Sequence, residues 1–206
     1  MLFAGICFVV AEAESQNADS TDTLKVKGTS QVPVVFDGNV SRFEYADATH
    51  ATFPNGHGTV DVYMKRYDGF LYFAFQIPDP TVHQGDDIVV MLDTKLSRSA
   101  TPGPGCIRAY VRRKLENSRM QQGVGKTWAD VYSDWEFRSR SYTTGWEVEC
   151  RIPLAAISVE NQKAETTLGL AFRIWDNEPQ KIWNWPLASH ENKPDTWGTL
   201  LIEPAK

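Results

Sequence analysis

The chain is built from short runs of alternating apolar and polar residues, and turn residues separate these runs. TVDVYMKR begins at Thr59 and FLYFAFQI begins at Phe70, and the Asp68-Gly69 pair between them is typical of a hairpin turn. DIVVMLD, CIRAYVRR, DWEFRSRSY, WEVECRI, TLGLAFRIW and WGTLLIE follow, also at strand length. No run keeps a helical period. The pattern predicts an all-β chain that forms a single antiparallel β-sandwich of the immunoglobulin-like or jelly-roll type.

Length and charge limit the classes of protein that fit this pattern. A chain of 206 residues can form one domain with a substantial core. The formal net charge of −5 argues against a nucleic-acid partner, because nucleic acids require a basic face. The polar stretch ESQNADSTDTLKVKGTSQ lacks periodicity. We therefore predict a flexible linker over residues 14–30 and the sandwich domain over residues 31–206.

The N-terminus resembles an export signal. LFAGICFVVA is an apolar run of the right length, and AEA, which ends at Ala13, has the form of a signal-peptidase site. The alternative interpretation of the run is a buried strand. It is too short to cross a bilayer as a helix. We therefore predict a signal peptide over residues 1–13, no membrane span, and a secreted or periplasmic protein.

Cysteine content is compatible with export. Cleavage after Ala13 would remove Cys7 and leave Cys106 and Cys150, an even number for an oxidising compartment. Both lie in strand-like runs. A cross-strand disulfide and two separate buried thiols are equally compatible with the sequence.

The order of several motifs resembles that of the family 9 carbohydrate-binding modules and their relatives in the DOMON-like sandwich group. An Asp-Gly pair at Asp37 is followed by LYFAFQIPDP, DDIVVMLD, GWEVECRIP and WGTLLI. The resemblance covers roughly residues 34–203. It implies a β-sandwich that binds a plant or microbial polysaccharide, its chain ends or an oligosaccharide without cleaving it, and that accompanies secreted glycoside hydrolases. It also implies a structural calcium ion, for which Asp86 and Asp87 are the candidate oxygen ligands.

The resemblance carries over to individual site residues only in part. Arg108 and Arg173 match positions at which the family reads sugar hydroxyl groups with polar side chains. His83 stands near the first of the two tryptophans that clamp the sugar, and Glu191 or Asn192 stands near the second. The usual clamp is therefore not reproduced. The two arginine forks favour an acidic or decorated glycan over plain cellulose.

The stretch KIWNWP offers two replacement rings. Trp183 and Trp185 share one face if the stretch is extended, and they form either a stacking platform for sugar or a cover for the core. By the same alternation, Arg173 and Trp175 share the face opposite the apolar residues of their strand. We predict that Arg108, Arg173, Asp176, Trp183 and Trp185 approach one another, with His83 as a further carbohydrate contact.

Two other functions compete with carbohydrate binding. Glu147 and Glu149 lie on one face of WEVECR, which suits the acid pair of a glycoside hydrolase and equally a half-exposed strand. Some DOMON relatives bind haem through a methionine and a histidine, for which Met64, Met91 and His190 are available. Neither spacing is diagnostic, and we predict no catalytic residue.

Overall fold

Thirteen strands form the fold within residues 22–132, 134–159 and 163–204, which are the residues that the computed structural model describes. Two single-turn 3₁₀ helices, Leu154–Ile157 and Pro194–Thr196, accompany them. The strands are β1 Thr23–Val26, β2 Thr49–Pro54, β3 Thr59–Tyr67, β4 Phe70–Pro78, β5 Asp87–Asp93, β6 Cys106–Arg112, β7 Arg119–Gly123, β8 Trp128–Val131, β9 Glu136–Tyr142, β10 Gly145–Pro153, β11 Thr166–Asp176, β12 Lys181–Trp185 and β13 Gly198–Ile202.

The strands are arranged in two sheets. The large sheet has the order β1-β13-β11-β5-β6-β7-β8, and β12 pairs with the second half of β11. The small sheet has the order β2-β3-β4-β10-β9. Only β1 and β13 run parallel, and every other pair among the described strands is antiparallel. The two sheets pack face to face, which leaves one outer face on each.

The main core lies between the sheets and is centred on Phe172 of β11. The ring centroid of Phe172 lies 5.2 Å from that of Phe75, 5.9 Å from that of Phe73 and 6.4 Å from that of Phe53. Because strand side chains alternate, every second residue of β3, β4 and β10 points into this core. Each fully buried large apolar side chain contributes about 1.5–3 kcal/mol, so this layer is the main source of stability.

The predicted all-β sandwich is confirmed, and the segment that precedes it differs from expectation. Residues Thr23–Val26 lie within the predicted linker but form β1, because Val26 is buried in the core and the backbone of β1 pairs with β13. The linker prediction is wrong for these four residues.

The predicted signal peptide over residues 1–13 lies outside the described residues and stays a prediction. In the described part of the chain, no helix is long and apolar enough to cross a membrane.

Besides β1, three more strands lie in sequences that we did not predict as strands. They are β2, β7 and β8, and their sequences THATFP, RMQQG and WADV are short and show no sustained apolar alternation. β2 and β8 lie at sheet edges, where polar side chains reach solvent. His50 belongs to β2, and its ring stacks on that of Tyr63 with the centroids 4.8 Å apart.

Cys106 and Cys150 are separate buried thiols. Cys150 lies in the main core, whereas Cys106 lies in a second apolar cluster on the outer face of the large sheet. A β-sheet separates the two, so the fold leaves them unbridged.

Candidate carbohydrate-binding site

The outer face of the large sheet carries a row of charged and aromatic side chains. Alternation in β6 places Arg108, Tyr110 and Arg112 on this face, opposite Ala109 and Val111, which face the core. The neighbouring strands β5 and β11 bring Asp87 and Arg173 to the same face, because Asp87 pairs with Arg112 and Val89 pairs with both Tyr110 and Arg173. The segment 186–197, between β12 and β13, lies over part of this face and inserts Trp197 into its apolar cluster.

Arginines and carboxylates alternate along this face. Arg112 Nη1 lies 3.2 Å from Asp87 Oδ2, and Arg173 Nη2 donates to Asp87 Oδ1 at 2.5 Å. Arg173 Nη1 lies 3.0 Å from Glu191 Oε2, and Arg108 Nη1 donates to Glu191 Oε1 at 3.1 Å. Burial raises the pKa of Asp87, although both of its arginine partners oppose this effect. The pairing compensates the cost of burying these charges and fixes the orientation of the guanidinium groups.

Aromatic rings support the guanidinium groups. The guanidinium carbons of Arg108, Arg119 and Arg173 lie 4.8, 5.2 and 5.2 Å from the ring centroid of Tyr110. Arg108 also lies 4.2 Å from the ring of Trp128, whose Nε1 donates to Asn192 Oδ1 at 2.7 Å. Such cation–π contacts hold the arginine side chains in place.

Two adjoining cavities open on this face. The larger, which we call the arginine cleft, has a volume of about 330 Å³ and is lined by Asp87, Tyr110, Arg112, Arg119, Arg173, Trp175 and Ile182. The smaller has about 190 Å³ and is lined by Arg173, Ile182, Asn184, His190, Glu191 and Asn192. Because the two share Arg173 and Ile182, they form a continuous depression. The exposed side chain of Ile182 and the rings give apolar surface, while the guanidinium groups give hydrogen-bond donors.

The structure brings together the two predicted arginines but not the predicted tryptophans. Arg108 and Arg173 both bind Glu191. Trp183 and Trp185 share a face, as predicted, but it is the face of Ile174 and Phe172, their partners across the β11–β12 pair, and both rings pack against the main core. The expectation that these rings would stand beside the arginines is therefore corrected, and the core-cover interpretation describes their position.

The packing around Trp183 and Trp185 explains why they cover the core. β12 lies beside the end of β11 and covers the open edge of the sandwich. The turn between β2 and β3 sits on Trp183, since a Cβ atom on Gly56, which has φ of +80°, would come within 2.6 Å of Trp183 Cζ2. The ring of Trp185 lies 5.5 Å from that of Phe172. These rings thus seal one end of the core.

Asp176 and His83 lie outside the cleft lining. Asp176 is buried, and its Oδ2 lies 2.8 Å from His57 Nε2. His83 is exposed in the loop between β4 and β5, where its Nε2 lies 3.1 Å from Asn177 Nδ2. Asp176 shares the core side of β11 with Ile174, whereas Arg173 and Trp175 take the outer side. The prediction that Asp176 approaches the arginines is therefore corrected, and a sugar contact by His83 stays a prediction.

The predicted calcium ligands are already engaged by positive charges. Both oxygens of Asp87 bind arginines, as described above. Asp86 Oδ1 accepts from the Asn177 backbone at 3.2 Å, and its Oδ2 accepts from the His83 backbone and lies 3.3 Å from Arg113 Nη1. A calcium ion would therefore have to displace arginine contacts to bind Asp86 and Asp87 together.

A different acidic group lies nearby. Oxygens of Asp79, Asp86 and Asp176 lie within 4.8 Å of one another, and Asp176 Oδ1 is buried without a hydrogen-bond partner among the described residues. The guanidinium of Arg113 pairs with both Asp79 and Asp86 and supplies positive charge to this group. Calcium binding stays a prediction.

Glu147 and Glu149 accept hydrogen bonds from the loop that precedes β2 and so hold it on the outer face of the small sheet. Glu149 is fully buried, and its Oε2 accepts from the Gly38 backbone at 2.7 Å while its Oε1 accepts from the Tyr45 hydroxyl at 2.6 Å. Glu147 Oε2 accepts from the Val40 backbone at 3.1 Å. Both carboxylates are thus engaged in holding the segment that contains these three residues, which is a structural role.

The haem interpretation finds no support in the positions of its candidate ligands. Met64 and Met91 are both fully buried and belong to different apolar clusters, one between the sheets and one on the outer face of the large sheet. His190 lies in the segment over that outer face, where its backbone carbonyl accepts a hydrogen bond from Trp197 Nε1 at 2.9 Å.

Several residues of the cleft were not predicted from the sequence. Tyr110 and Arg112 follow from the same alternation that placed Arg173 beside Trp175, applied to CIRAYVR. Arg119 belongs to β7, which has no apolar alternation to identify it as a strand. Glu191 reaches the arginines from an irregular segment, and no local pattern predicts that contact.

No protein-family model matches this sequence, and a search of curated proteins also finds no match. Solved structures do match. A family 9 carbohydrate-binding module from Caldicellulosiruptor kristjanssonii in complex with glucose has 14% identity and a TM-score of 0.65, over 88% of this chain and 97% of that chain. The corresponding complex with cellotriose gives 14% and 0.65, over 88% and 95%. A candidate carbohydrate-binding protein from Bacteroides uniformis gives 13% and 0.57, over 88% and 99%. The chain therefore has the fold of the family 9 carbohydrate-binding modules.

Proposed function

We propose that this protein binds a polysaccharide or oligosaccharide in the arginine cleft without cleaving it. The observation that carries the proposal is a depression lined by rings, an exposed apolar side chain and arginine forks, on a fold whose solved examples include complexes with glucose and cellotriose. A pyranose has C–H bonds on its faces and hydroxyl groups at its rim. Rings and Ile182 suit the faces, and guanidinium groups suit the hydroxyls.

Two other cavities are less suitable for a sugar. One of about 280 Å³, near Lys65 and Arg66, has no aromatic ring in its lining. Another of about 380 Å³, on the outer face of the small sheet, has the aromatic rings of Tyr142 and His57 but no arginine or lysine. Of these three cavities, the arginine cleft is the one whose lining contains both aromatic rings and arginine side chains.

A glycan array with the full chain tests this function, with Ile182→Asp as the disrupting variant. Ile182 is 50% exposed, so the change removes apolar surface from the cleft without opening the core. Leu187→Asp is the matched control, because Leu187 is 85% exposed and lies outside the cleft lining. We expect binding of plant or microbial glycans by the wild type and by Leu187→Asp, and its loss in Ile182→Asp. Equal binding by all three proteins, or by none, would contradict the proposal.

Absence of catalysis is tested by incubation with xylan and cello-oligosaccharides. We expect no new reducing ends, because Glu147 and Glu149 are engaged by the loop that they fasten. Hydrolysis that disappears in Glu147→Gln or Glu149→Gln would support a glycoside hydrolase instead.

We also infer export to the cell exterior or periplasm, from the apolar run and the AEA site before Glu14. N-terminal sequencing of the native protein should begin near Glu14. Retention of Met1 in the native protein would contradict export by this signal.

A further inference from the structure

We propose that the arginine cleft takes a sugar that carries a carboxylate group, and that Arg119 binds this carboxylate. The inference rests on the proposed carbohydrate binding and narrows its ligand to glycans that contain uronic acid. It concerns a residue that has no part in the motif resemblance described above.

The charged lining of the cleft is unbalanced. Three arginines, Arg112, Arg119 and Arg173, line the cleft with one carboxylate, that of Asp87, while Glu191, which lines the adjoining cavity, pairs with Arg173. Asp87 already binds two of them, with Arg112 Nη1 3.2 Å from Oδ2 and Arg173 Nη2 2.5 Å from Oδ1. This excess of positive charge in the cleft lining, on a chain with a net charge of −5, favours a ligand that carries a negative group.

Arg119 is the least engaged of the three. Its carboxylate partner among the described residues is Asp130, with Nε and Oδ1 3.7 Å apart and the two side chains 47% and 71% exposed. Asp130 Oδ1 also accepts from Gln121 Nε2 at 2.7 Å. An exposed ion pair of this length contributes little to stability, so a ligand carboxylate can take the place of Asp130 at small cost.

Arg119 is nevertheless held in a defined position. It pairs with Tyr110 across β6 and β7, and its guanidinium carbon lies 5.2 Å from the Tyr110 ring centroid. The ring supports one face of the guanidinium group, while its donor edges stay accessible to the cleft. A planar fork fixed in this way suits a carboxylate, which accepts two parallel hydrogen bonds from it.

Isothermal titration calorimetry tests the proposal with trigalacturonate and with its fully methyl-esterified form. The two ligands have the same sugar rings and differ in the negative charge. We expect the wild type to bind the acid about tenfold or more tightly than the ester, as a charge-assisted hydrogen-bond pair should give. Arg119→Gln should remove this difference by weakening only the acid, and Arg119→Lys should retain part of it.

Arg138→Gln is a matched control on the outer face of the small sheet. The Arg138 side chain is 48% exposed and has a carboxylate partner, Glu136, at 3.9 Å. Its guanidinium carbon lies 5.1 Å from the ring of Phe36. Exposure, ring contact and change in net charge are therefore close to those of Arg119, and Arg138→Gln should bind both ligands like the wild type.

The outcomes separate this inference from the proposed function. Equal affinity of the wild type for acid and ester would overturn the inference and leave carbohydrate binding in place. An equal loss of affinity for the acid in Arg119→Gln and in Arg138→Gln would do the same. Failure of the wild type to bind any glycan of the array, acidic or neutral, would remove the proposed function as well. Thermal unfolding of each variant verifies that the fold is intact.

Discussion

Arg113 and Asp79 form an ion pair in the protein interior, with Nη1 and Oδ2 2.9 Å apart and the Arg113 side chain fully buried. The same guanidinium group lies 3.3 Å from Asp86 Oδ2 and donates to the carbonyl of Gly145 at 3.1 Å. One side chain that follows β6 of the large sheet thus binds the loop after β4 and the start of β10, both from the small sheet. Burial of this cation is tolerated because two carboxylates and the backbone carbonyls of Asp79, Thr81 and Gly145 accept hydrogen bonds from it.

Removal of this cation should destabilise the protein strongly. Arg113→Met keeps most of the volume but leaves Asp79 and Asp86 buried without their partner, and such a change costs about 3–5 kcal/mol. Urea denaturation measures the free energy of unfolding. Arg138→Met, at an exposed arginine, should cost less than about 1 kcal/mol. Similar small losses in the two variants would show that Arg113 is not essential to the network.

Calcium should affect the Arg113→Met variant more than the wild type. In the wild type Arg113 supplies the positive charge beside Asp79 and Asp86, so we expect EDTA to leave the Tm nearly unchanged. In Arg113→Met these carboxylates and the unpaired Oδ1 of Asp176 become available to a divalent ion. Added calcium should then raise the Tm of the variant. A Tm of the wild type that falls with EDTA would instead support the structural calcium implied by the family resemblance.

Stability should also depend on pH through Glu149. Burial raises the pKa of this carboxyl to about 7 from a usual value of 4.5, despite the hydrogen bonds that it accepts. The folded state therefore holds a proton between pH 4.5 and 7 that the unfolded state releases. The stabilisation is complete below pH 4.5 and is lost as the pH rises through 7, by about 3 kcal/mol in total.

The Glu149→Gln variant isolates this effect. Urea denaturation measures the free energy of unfolding of both proteins between pH 4 and pH 8. The wild-type value minus the variant value should decrease as the pH rises. A difference that increases with pH would mean that the donors from Gly38 and Tyr45 lower the pKa of Glu149 more than burial raises it.

The fold could be predicted from the sequence because its central strands bury one face or both. β3, β4, β5, β10 and β11 show continuous or alternating apolar residues, and turn residues mark where several of them end. β1 was missed because it has only four residues, lies in a mainly polar stretch of the sequence, and pairs with β13 at the other end of the chain. Long-range backbone pairing leaves no local pattern in a strand this short.

The site could be predicted only where it lies on such strands. Alternation correctly placed Arg173 and Trp175 on one face of β11. The same rule could not predict which face of β12 points to the core, because all five of its residues are partly or fully exposed. The core-facing side is determined by packing of Trp185 on Phe172, which the sequence of β12 does not reveal. Glu191 joins Arg108 and Arg173 through an irregular segment, so its contact depends on the complete fold.

The tryptophans on opposite sides of the β11–β12 pair should separate binding from stability. Trp175 lines the cleft, so Trp175→Ala should weaken glycan binding by about 1–2 kcal/mol, roughly 5- to 30-fold, with little loss of stability. Trp185 packs on Phe172 and against Gly198, so Trp185→Ala should lower the free energy of unfolding by about 2–4 kcal/mol and leave the affinity of the folded protein nearly unchanged. Calorimetric titration and urea denaturation of both variants measure the two quantities. The reverse result, with binding lost in Trp185→Ala and retained in Trp175→Ala, would move the sugar site from the arginine cleft to the edge of the sandwich.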